Sequence, residues 1–150
     1  MDEQTKILLH EADVNWAKTK QHEDQRAAIT GLIVVIASAI QGGLTQIGFT
    51  KSALPLTMTL IVLGLFGILA SAKLYERAKL HSDRAKRLRK RIDELHPPLQ
   101  AQALLDSSDE EHYLKYGILA TKIRLHAIWL TLHSMIALLG IVYTVIALVR

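Results

Sequence analysis

Three long uncharged stretches dominate the pattern of hydrophobic and polar positions along the chain. Residues 27–50, 52–72 and 125–149 contain no Asp, Glu, Lys or Arg. Each stretch is about as long as the roughly 20 residues that an α-helix needs to cross the hydrocarbon core of a bilayer. The pattern therefore predicts an all-α integral membrane protein with three transmembrane helices, over residues 27–49, 55–72 and 125–149.

A charged segment follows the second apolar stretch with no glycine or proline in between. Because nothing interrupts it, the second spanning helix is expected to continue through residues 73–95. Apolar residues and one histidine recur in this segment at alternating spacings of four and three, which is the heptad pattern of a coiled coil. The heptad positions are Leu74, Ala78, His81, Ala85, Leu88, Ile92 and Leu95.

Two more helices are predicted outside these elements. Residues 1–26 are amphipathic, which suits either packing on a partner helix or lying on the membrane surface. The Pro97-Pro98 pair ends the charged helix, and residues 99–124 are expected to return along it as the second arm of a cytoplasmic helical hairpin. A break is expected at residues 106–108, followed by an uninterrupted helix that begins with a capping box.

Positive charges predict the orientation in the membrane. Twelve of the 18 Lys and Arg residues lie within residues 73–124, whereas Lys51 and Arg150 stand alone at the other ends of the spans. In membrane proteins, the cytoplasmic loops carry the excess of Lys and Arg. We therefore expect a multi-pass inner-membrane protein, with its N-terminus in the cytoplasm and its C-terminus outside.

Polar residues at membrane depth are the first candidates for a functional site. In the first span, Ser38 and Thr45 share a face with two glycines, and Gln41 lies beside that face. Such a face favours close packing of helices, but it also suits a water-lined path, because Gln and Thr are costly against lipid. With two residues of the third span added, the candidate pore-lining residues are Ser38, Gln41, Thr45, His133 and Thr144.

Two histidines lie on one face of the third span. His126 and His133 are about 10 Å apart along a helix, so a single helix cannot bring both to one metal ion. Ionisable residues in a span mark function by default, which leaves haem ligation or pH gating across helices open. The alternative is that both are packing residues whose imidazoles are hydrogen-bonded to neighbouring helices.

The charged helix carries a dense basic run outside its heptad positions. One explanation is topology and solubility alone. Others are binding of anionic lipid or of a protein partner, and binding of a phosphate-bearing nucleotide. We expect no nucleic acid partner. The candidate binding residues are Arg84, Lys86, Arg87, Arg89, Lys90 and Arg91.

The sequence contains no motif on which catalysis would rest. It has no cysteine, no Gly-rich phosphate loop, no His-Glu-x-x-His motif and no nucleophile placed beside a base. We therefore expect a protein that is not an enzyme, and we assign no catalytic residue, no metal site and no cofactor.

The order of elements resembles that of the SLATT family. The likeness lies within residues 16–95 and is carried by WAKTKQHEDQRAAITGLIVVIASAIQG, by GLFGILASAKLYERAKLHSDRAKRLRKRIDEL and by the loop between the first two spans. The resemblance implies a small bacterial membrane effector of nucleotide-linked conflict systems, which opens pores when a partner signals. The present chain adds a third apolar span to that plan, and no functional residue is carried over.

Two main function classes follow from these observations. The first is a homo-oligomeric pore or membrane-permeabilising effector, because three small-residue faces and the heptad seams exceed what one subunit can bury. The second is a non-conducting membrane anchor that recruits a cytoplasmic partner through the basic helix. A haem-bearing redox subunit is a third hypothesis. Besides membrane lipid, the expected partners are further copies of the chain and a cytoplasmic protein or nucleotide signal.

Overall fold

The computed structural model describes residues 2–122 and 124–149, and within them the side chains of all residues except 118–122. This part of the chain is helical and contains no β-strand, so the prediction of an all-α fold is confirmed. The elements are α1 (Glu3–Ile47), a 3-10 turn (Lys51–Ala53), α2 (Leu54–Leu95), a second 3-10 turn (Pro97–Leu99), α3 (Ala101–Lys122) and α4 (Leu125–Val149).

Three helical segments are long and apolar enough to cross a membrane. They lie within Glu3–Ile47, Lys51–Leu95 and Leu125–Val149, and each contains one of the three predicted spans. The chain therefore has the three long apolar helices that a multi-pass membrane protein needs. The kind of membrane and the sides on which its termini lie stay predictions.

A tight turn joins α1 to α2. Gly48 has a φ of +76°, and its N–H donates to the carbonyl of Leu44 at 2.9 Å. A left-handed residue after the last helical turn is the usual C-terminal stop, and glycine adopts it without steric cost. Pro55 lies in the first turn of α2, where its missing N–H leaves no intrahelical bond unmade.

The second helix runs unbroken from its apolar half into its charged half and ends at Leu95, just before the two prolines. The predicted continuity of this helix is therefore confirmed. It holds because no residue between 56 and 95 lacks a backbone donor or favours a non-helical backbone strongly enough to interrupt the hydrogen-bond ladder.

The predicted break at residues 106–108 is wrong, because α3 runs straight through it. Side chains there form hydrogen bonds within the helix. Nε2 of Gln102 donates to Asp106 at 2.8 Å, and the hydroxyl of Ser107 donates to the carbonyl of Leu104 at 2.9 Å. Asp and Ser are weak helix formers, but their cost of a few tenths of a kcal/mol does not end a helix.

The interruption of α3 lies instead at Gly117, whose φ of 43° and ψ of −114° are not helical. Only a residue without a Cβ adopts such a backbone readily, so the prediction of an uninterrupted helix after residue 108 is wrong. The described side chains of residues 101–117 are all exposed. The return of this segment along the charged helix stays a prediction.

Contacts between residues divide the chain into two units. The apolar unit consists of residues 25–74 and 125–149, and the charged unit of residues 2–24, 75–122 and 124. Helices α1 and α2 contribute to both units. Each unit has its own packed interior.

Glycines hold α2 and α4 of the apolar unit close together. A Cβ added at Gly64 would lie 2.6 Å from the Cβ of Ala137, and one added at Gly140 would lie 2.7 Å from the backbone nitrogen of Ile61. Close approach through small residues is the usual basis of helix packing in membranes, where lipid removes the hydrophobic drive. The small face predicted for the second span is buried in this interior: Leu60, Gly64, Gly67 and Ser71.

The charged unit buries the heptad seam of α2 against the N-terminal half of α1. The hydroxyl of Thr19 donates to the carbonyl of Ala78 at 3.4 Å, and Ala12, Ala78 and Ala85 are almost fully buried. The amphipathic segment 1–26 therefore packs on a helix of its own chain, which favours that alternative over a position on the membrane surface.

Candidate intramembrane polar site

The interior of the apolar unit contains a hydrogen-bonded polar centre. His133 of α4 is fully buried, and its Nε2 is hydrogen-bonded to Oγ1 of Thr30 on α1 at 3.1 Å. Its Nδ1 is buried and has no hydrogen-bond partner among the residues that the structure describes. The three helices of the unit thus meet around one imidazole.

Gly67 of α2 makes the space that this imidazole occupies. A Cβ at position 67 would lie 2.6 Å from Cγ of His133 and 2.7 Å from its Cε1. Any side chain at residue 67 would therefore collide with the ring. The sequence places a glycine on α2 where α4 carries its largest buried polar side chain.

A second polar contact joins α2 to α4 nearer the loop end of the unit. Oγ1 of Thr144 lies 2.8 Å from Oγ1 of Thr57 and 2.7 Å from the carbonyl of Gly140. Thr57 in turn donates to the carbonyl of Leu54 at 3.1 Å. These hydroxyls are satisfied by the protein itself.

The polar stripe predicted on the first span lies outside this interior. Ser38 and Thr45 are exposed, and their hydroxyls donate to carbonyls of their own helix, those of Val34 at 2.8 Å and Gly42 at 2.7 Å. Gln41 is half-buried and lines a shallow cavity of about 200 Å³ between α1 and α4. This face, which we call the outer stripe, is defined by Gly31, Val35, Ser38, Gly42 and Thr45 with Gln41 beside it.

The structure therefore separates the five residues that the sequence grouped together. His133 and Thr144 bond inside the apolar unit, whereas Ser38, Gln41 and Thr45 lie on its outside. The sequence reasoning missed Thr30 and Thr57 as members of the interior. The spacing of three and four that runs through Ala12 and Thr19 would have found Thr30, had it been extended into the apolar half of α1.

A buried arginine lies where α1 enters its apolar half. The exposed fraction of Arg26 is 5%, and its guanidinium carbon lies 5.7 Å from the ring centroid of Trp129 on α4. A cation over an indole face is attracted by the ring quadrupole, more strongly where water is excluded. Trp129 lies near the start of the third span, where tryptophan suits the headgroup level.

The basic run of the charged unit is exposed, as a charged helix face is expected to be. Arg89 lies over the ring of Trp16 at 5.3 Å, and Arg91 donates to Glu94 at 2.8 Å. The other four residues of the run form no ion pair with any residue in the described ranges. They are Arg84, Lys86, Arg87 and Lys90.

Polar residues also interrupt the seam of the charged unit. Nδ1 of His81 donates to Oδ1 of Asn15 at 3.0 Å, and the rings of His22 and His81 stack with centroids 5.6 Å apart. Burial lowers the pKa of His81 from its ordinary value, and nearby positive groups lower it further. Those groups are Lys18, His22, Arg84 and Arg77.

The far end of the seam is tied by hydrogen bonds between the chain's start and the end of α2. Oγ1 of Thr5 and Nε2 of His96 are hydrogen-bonded at 2.7 Å, while the backbone N–H of Thr5 donates to Asp2 at 3.0 Å. The hydrogen bonds from Thr5 lower the pKa of the Asp2 carboxyl. Within the described ranges, no cluster of three or more His, Cys, Asp or Glu side chains is placed to hold a metal ion.

Comparison of the chain with protein-family models, with curated proteins and with solved structures yields no match. The likeness to the SLATT family stays a resemblance of pattern. The function must therefore be argued from the two units themselves.

Proposed function

We propose that the chain is the subunit of a homo-oligomeric membrane pore whose path lies between subunits and is lined by the outer stripe. The observation that carries the proposal is the exposure of this stripe. Val35 is 66% exposed, whereas Ile33, two residues earlier on the same helix, is 2% exposed. The small and polar face of the first span is thus largely exposed, with Gln41 half-buried beside α4.

The packed interior of the apolar unit supports a path between subunits over one within a subunit. The imidazole of His133 fills the space over Gly67, and the hydroxyls of Thr57 and Thr144 bond to each other. A path for ions needs polar groups that face water, not groups that already bond to each other in close-packed helices.

The outer stripe has the composition that helix association in lipid requires. Glycine and serine let two backbones approach closely, and polar side chains form hydrogen bonds across helices. Polar groups such as Gln41 are expensive against lipid and are expected to face protein or a water-filled cavity. A second copy would cover the stripe or, in a ring, share a water-filled axis along it.

The charged unit would act as the receiver of the activating signal. Helices α1 and α2 are continuous from the charged unit into the apolar unit, so we expect a change in their pairing in one unit to affect the other. The resemblance to a family of nucleotide-linked bacterial effectors supports the same assignment. On this proposal the protein belongs to a bacterial defence or signalling system.

Ion leak on expression tests the proposal directly. We expect cells or proteoliposomes that contain the wild-type chain to leak ions, and Gln41→Leu to reduce the leak by about tenfold or more, because an apolar side chain removes the water-lining amide. Thr59→Leu is the matched control. Like Ser38, Thr59 is exposed and donates to a carbonyl of its own helix, at 2.8 Å from Pro55, but it lies on α2. Equal leak from both variants would contradict the assignment of the stripe.

A non-conducting membrane anchor is the second candidate, favoured by the exposed basic run and the exposed side chains of residues 101–117. It predicts no leak from any variant. It also predicts that a cytoplasmic partner no longer co-purifies when residues 84–91 are neutralised. The haem hypothesis has less support, because His133 is enclosed between Thr30 and Gly67 with its Nε2 already hydrogen-bonded.

A further inference from the structure

Two exposed helix faces of opposite charge lie in the charged unit. The basic face of α2 consists of Lys86, Arg87 and Lys90, and the acidic face of α3 of Asp106, Asp109 and Glu110. All six side chains are exposed. Residues three and four apart lie on one side of a helix about 5–6 Å from each other, so the two faces have the same spacing and opposite sign.

Neither face is neutralised within the chain. Elsewhere on α2, charged residues pair locally, Lys79 with Asp83 at 3.0 Å and Arg91 with Glu94 at 2.8 Å. Among the residues that the structure describes, no ion pair involves the basic face or the acidic face. Asp106 has only a hydrogen bond from the amide of Gln102.

Like charges four residues apart repel each other and destabilise their own helix. Lys86 and Lys90 stand in this relation on α2, and Asp106 and Glu110 stand in it on α3. Each helix is therefore stabilised when a surface of opposite charge covers its face. The two faces are complementary in sign and in spacing.

The first turn of α3 is attached to its own α2 at a different place. The backbone N–H of Gln102 donates to Asp93 at 2.6 Å, and Leu104 and Leu105 line an apolar groove with Leu9 and Ile92. The acidic face comes after this attachment along α3, but it forms no ion pair with the basic face of α2 in the same copy. A second copy offers the same basic face without that attachment.

We propose that the acidic face of α3 in one copy docks on the basic face of α2 in another copy. The contact joins two different surfaces, so it closes either as a reciprocal pair or as a ring. The inference rests on the self-association that the proposed function requires, and it names the cytoplasmic part of that interface.

Spanning helices make a weak surface contact effective. A pair of exposed ion-pairing residues contributes little by itself. Two copies held in one membrane meet at a high effective concentration, so a modest contact still shifts the assembly. Raising NaCl from about 0.1 M to about 1 M, which shortens the Debye length from about 10 Å to about 3 Å, is expected to weaken it.

Charge reversal in two tagged chains tests the docking. The first chain carries Lys86→Glu, Arg87→Glu and Lys90→Glu, and the second carries Asp106→Lys, Asp109→Lys and Glu110→Lys. We expect each chain alone to self-associate about tenfold more weakly than wild type in detergent, which is about 1.4 kcal/mol. The control Lys86→Arg, Arg87→Lys and Lys90→Arg keeps the charge and is expected to associate as wild type does.

Mixing the two reversed chains decides whether the contact is between copies. In the mixture each acidic face meets a basic face on the other chain, so we expect co-purification of the two tags and a complex of wild-type mass. If the mixture associates as weakly as each chain alone, while both reversals in a single chain restore association, the faces pair within one chain and the proposal is wrong.

Two other results would also overturn the docking. Unchanged self-association of both reversed chains would show that the faces are not part of the interface. Loss of binding to vesicles of anionic lipid by the first chain alone, with its self-association unchanged, would assign the basic face to lipid. Ion leak is measured separately, so a salt-independent complex that still leaks through the outer stripe leaves the proposed function standing.

Discussion

The apolar unit and the charged unit are built on the same two helices, yet they bury polar groups in different ways. In the apolar unit glycines bring α2 and α4 into backbone contact, and polar groups such as Thr30 and His133 bond across helices in close-packed surroundings. In the charged unit the fully buried positions of the seam are alanines, the larger apolar residues at the heptad positions are only half-buried, and Asn15 with His81 takes the place of an apolar layer.

The difference follows from the solvent that each unit is suited to. Lipid gives helices no hydrophobic reason to associate, so shape and hydrogen bonds must hold them. Water supplies that drive in proportion to the apolar area buried, and alanines bury little of it. The charged unit is therefore expected to be the less stable of the two and the one that opens first.

Of the changes considered, a side chain at residue 67 should lower the stability of the apolar unit most. We expect Gly67→Ala to cost about 1–3 kcal/mol, because the added methyl overlaps the ring of His133 and the packed helices cannot move apart freely. The resistance of the detergent-solubilised protein to unfolding by SDS measures the loss.

Gly43→Ala is the control for that substitution. Its Cβ would meet only Cδ1 of Leu56 at 3.8 Å, an ordinary contact, and the alanine favours the helix. We expect no loss of stability, and equal losses at Gly43 and Gly67 would contradict the close packing around His133.

Removing the hydroxyl of Thr30 should have a smaller effect in the same unit. Thr30→Val keeps the shape but leaves Nε2 of His133 without its bond, which we expect to cost about 1 kcal/mol, as side-chain hydrogen bonds in membrane helices do. The same SDS titration checks it. The control Thr59→Val removes an exposed hydroxyl that bonds only to its own helix and should cost less. If Thr30→Val is as stable as Thr59→Val, the hydrogen bond between Thr30 and His133 does not stabilise the apolar unit.

Acidification should produce the smallest change, which is expected in the charged unit. The pKa of His81 is lower in the folded unit than its ordinary value of about 6.5, so the unfolded form binds a proton more readily. The contribution of His81 is fully present above that ordinary pKa and is lost as the pH falls below it toward the folded value. Amide-exchange protection of residues 5–19, corrected for the intrinsic exchange rate, should fall over that window.

His81→Gln should flatten this pH dependence, since it removes the titrating group. His10 is an exposed histidine of the same unit, and His10→Gln is the control that should leave the dependence as it is. If the pH dependence survives His81→Gln but disappears with His10→Gln, then His10 causes the effect and the prediction for His81 is wrong.

Local rules were enough to find the helices. The three uncharged stretches, the run of α2 from its apolar half into its charged half, and the stop before Pro97 follow from backbone hydrogen bonding and from residue types along the chain. The same rules failed at residues 106–108, where Asp and Ser are tolerated in a helix, and at Gly117, which interrupts a segment that they predicted to be uninterrupted.

By itself the sequence determined the lengths of the three apolar stretches and the small faces of the second and third spans. Only the tertiary structure decided which face of α1 turns inward, because the pattern within the span alone places apolar residues such as Ile33 and Val35 on both faces. The partners of His133 and His81 were decided in the same way. These partners depend on the axial register between neighbouring helices, which is set by the glycine contacts in the apolar unit and by the seam in the charged unit.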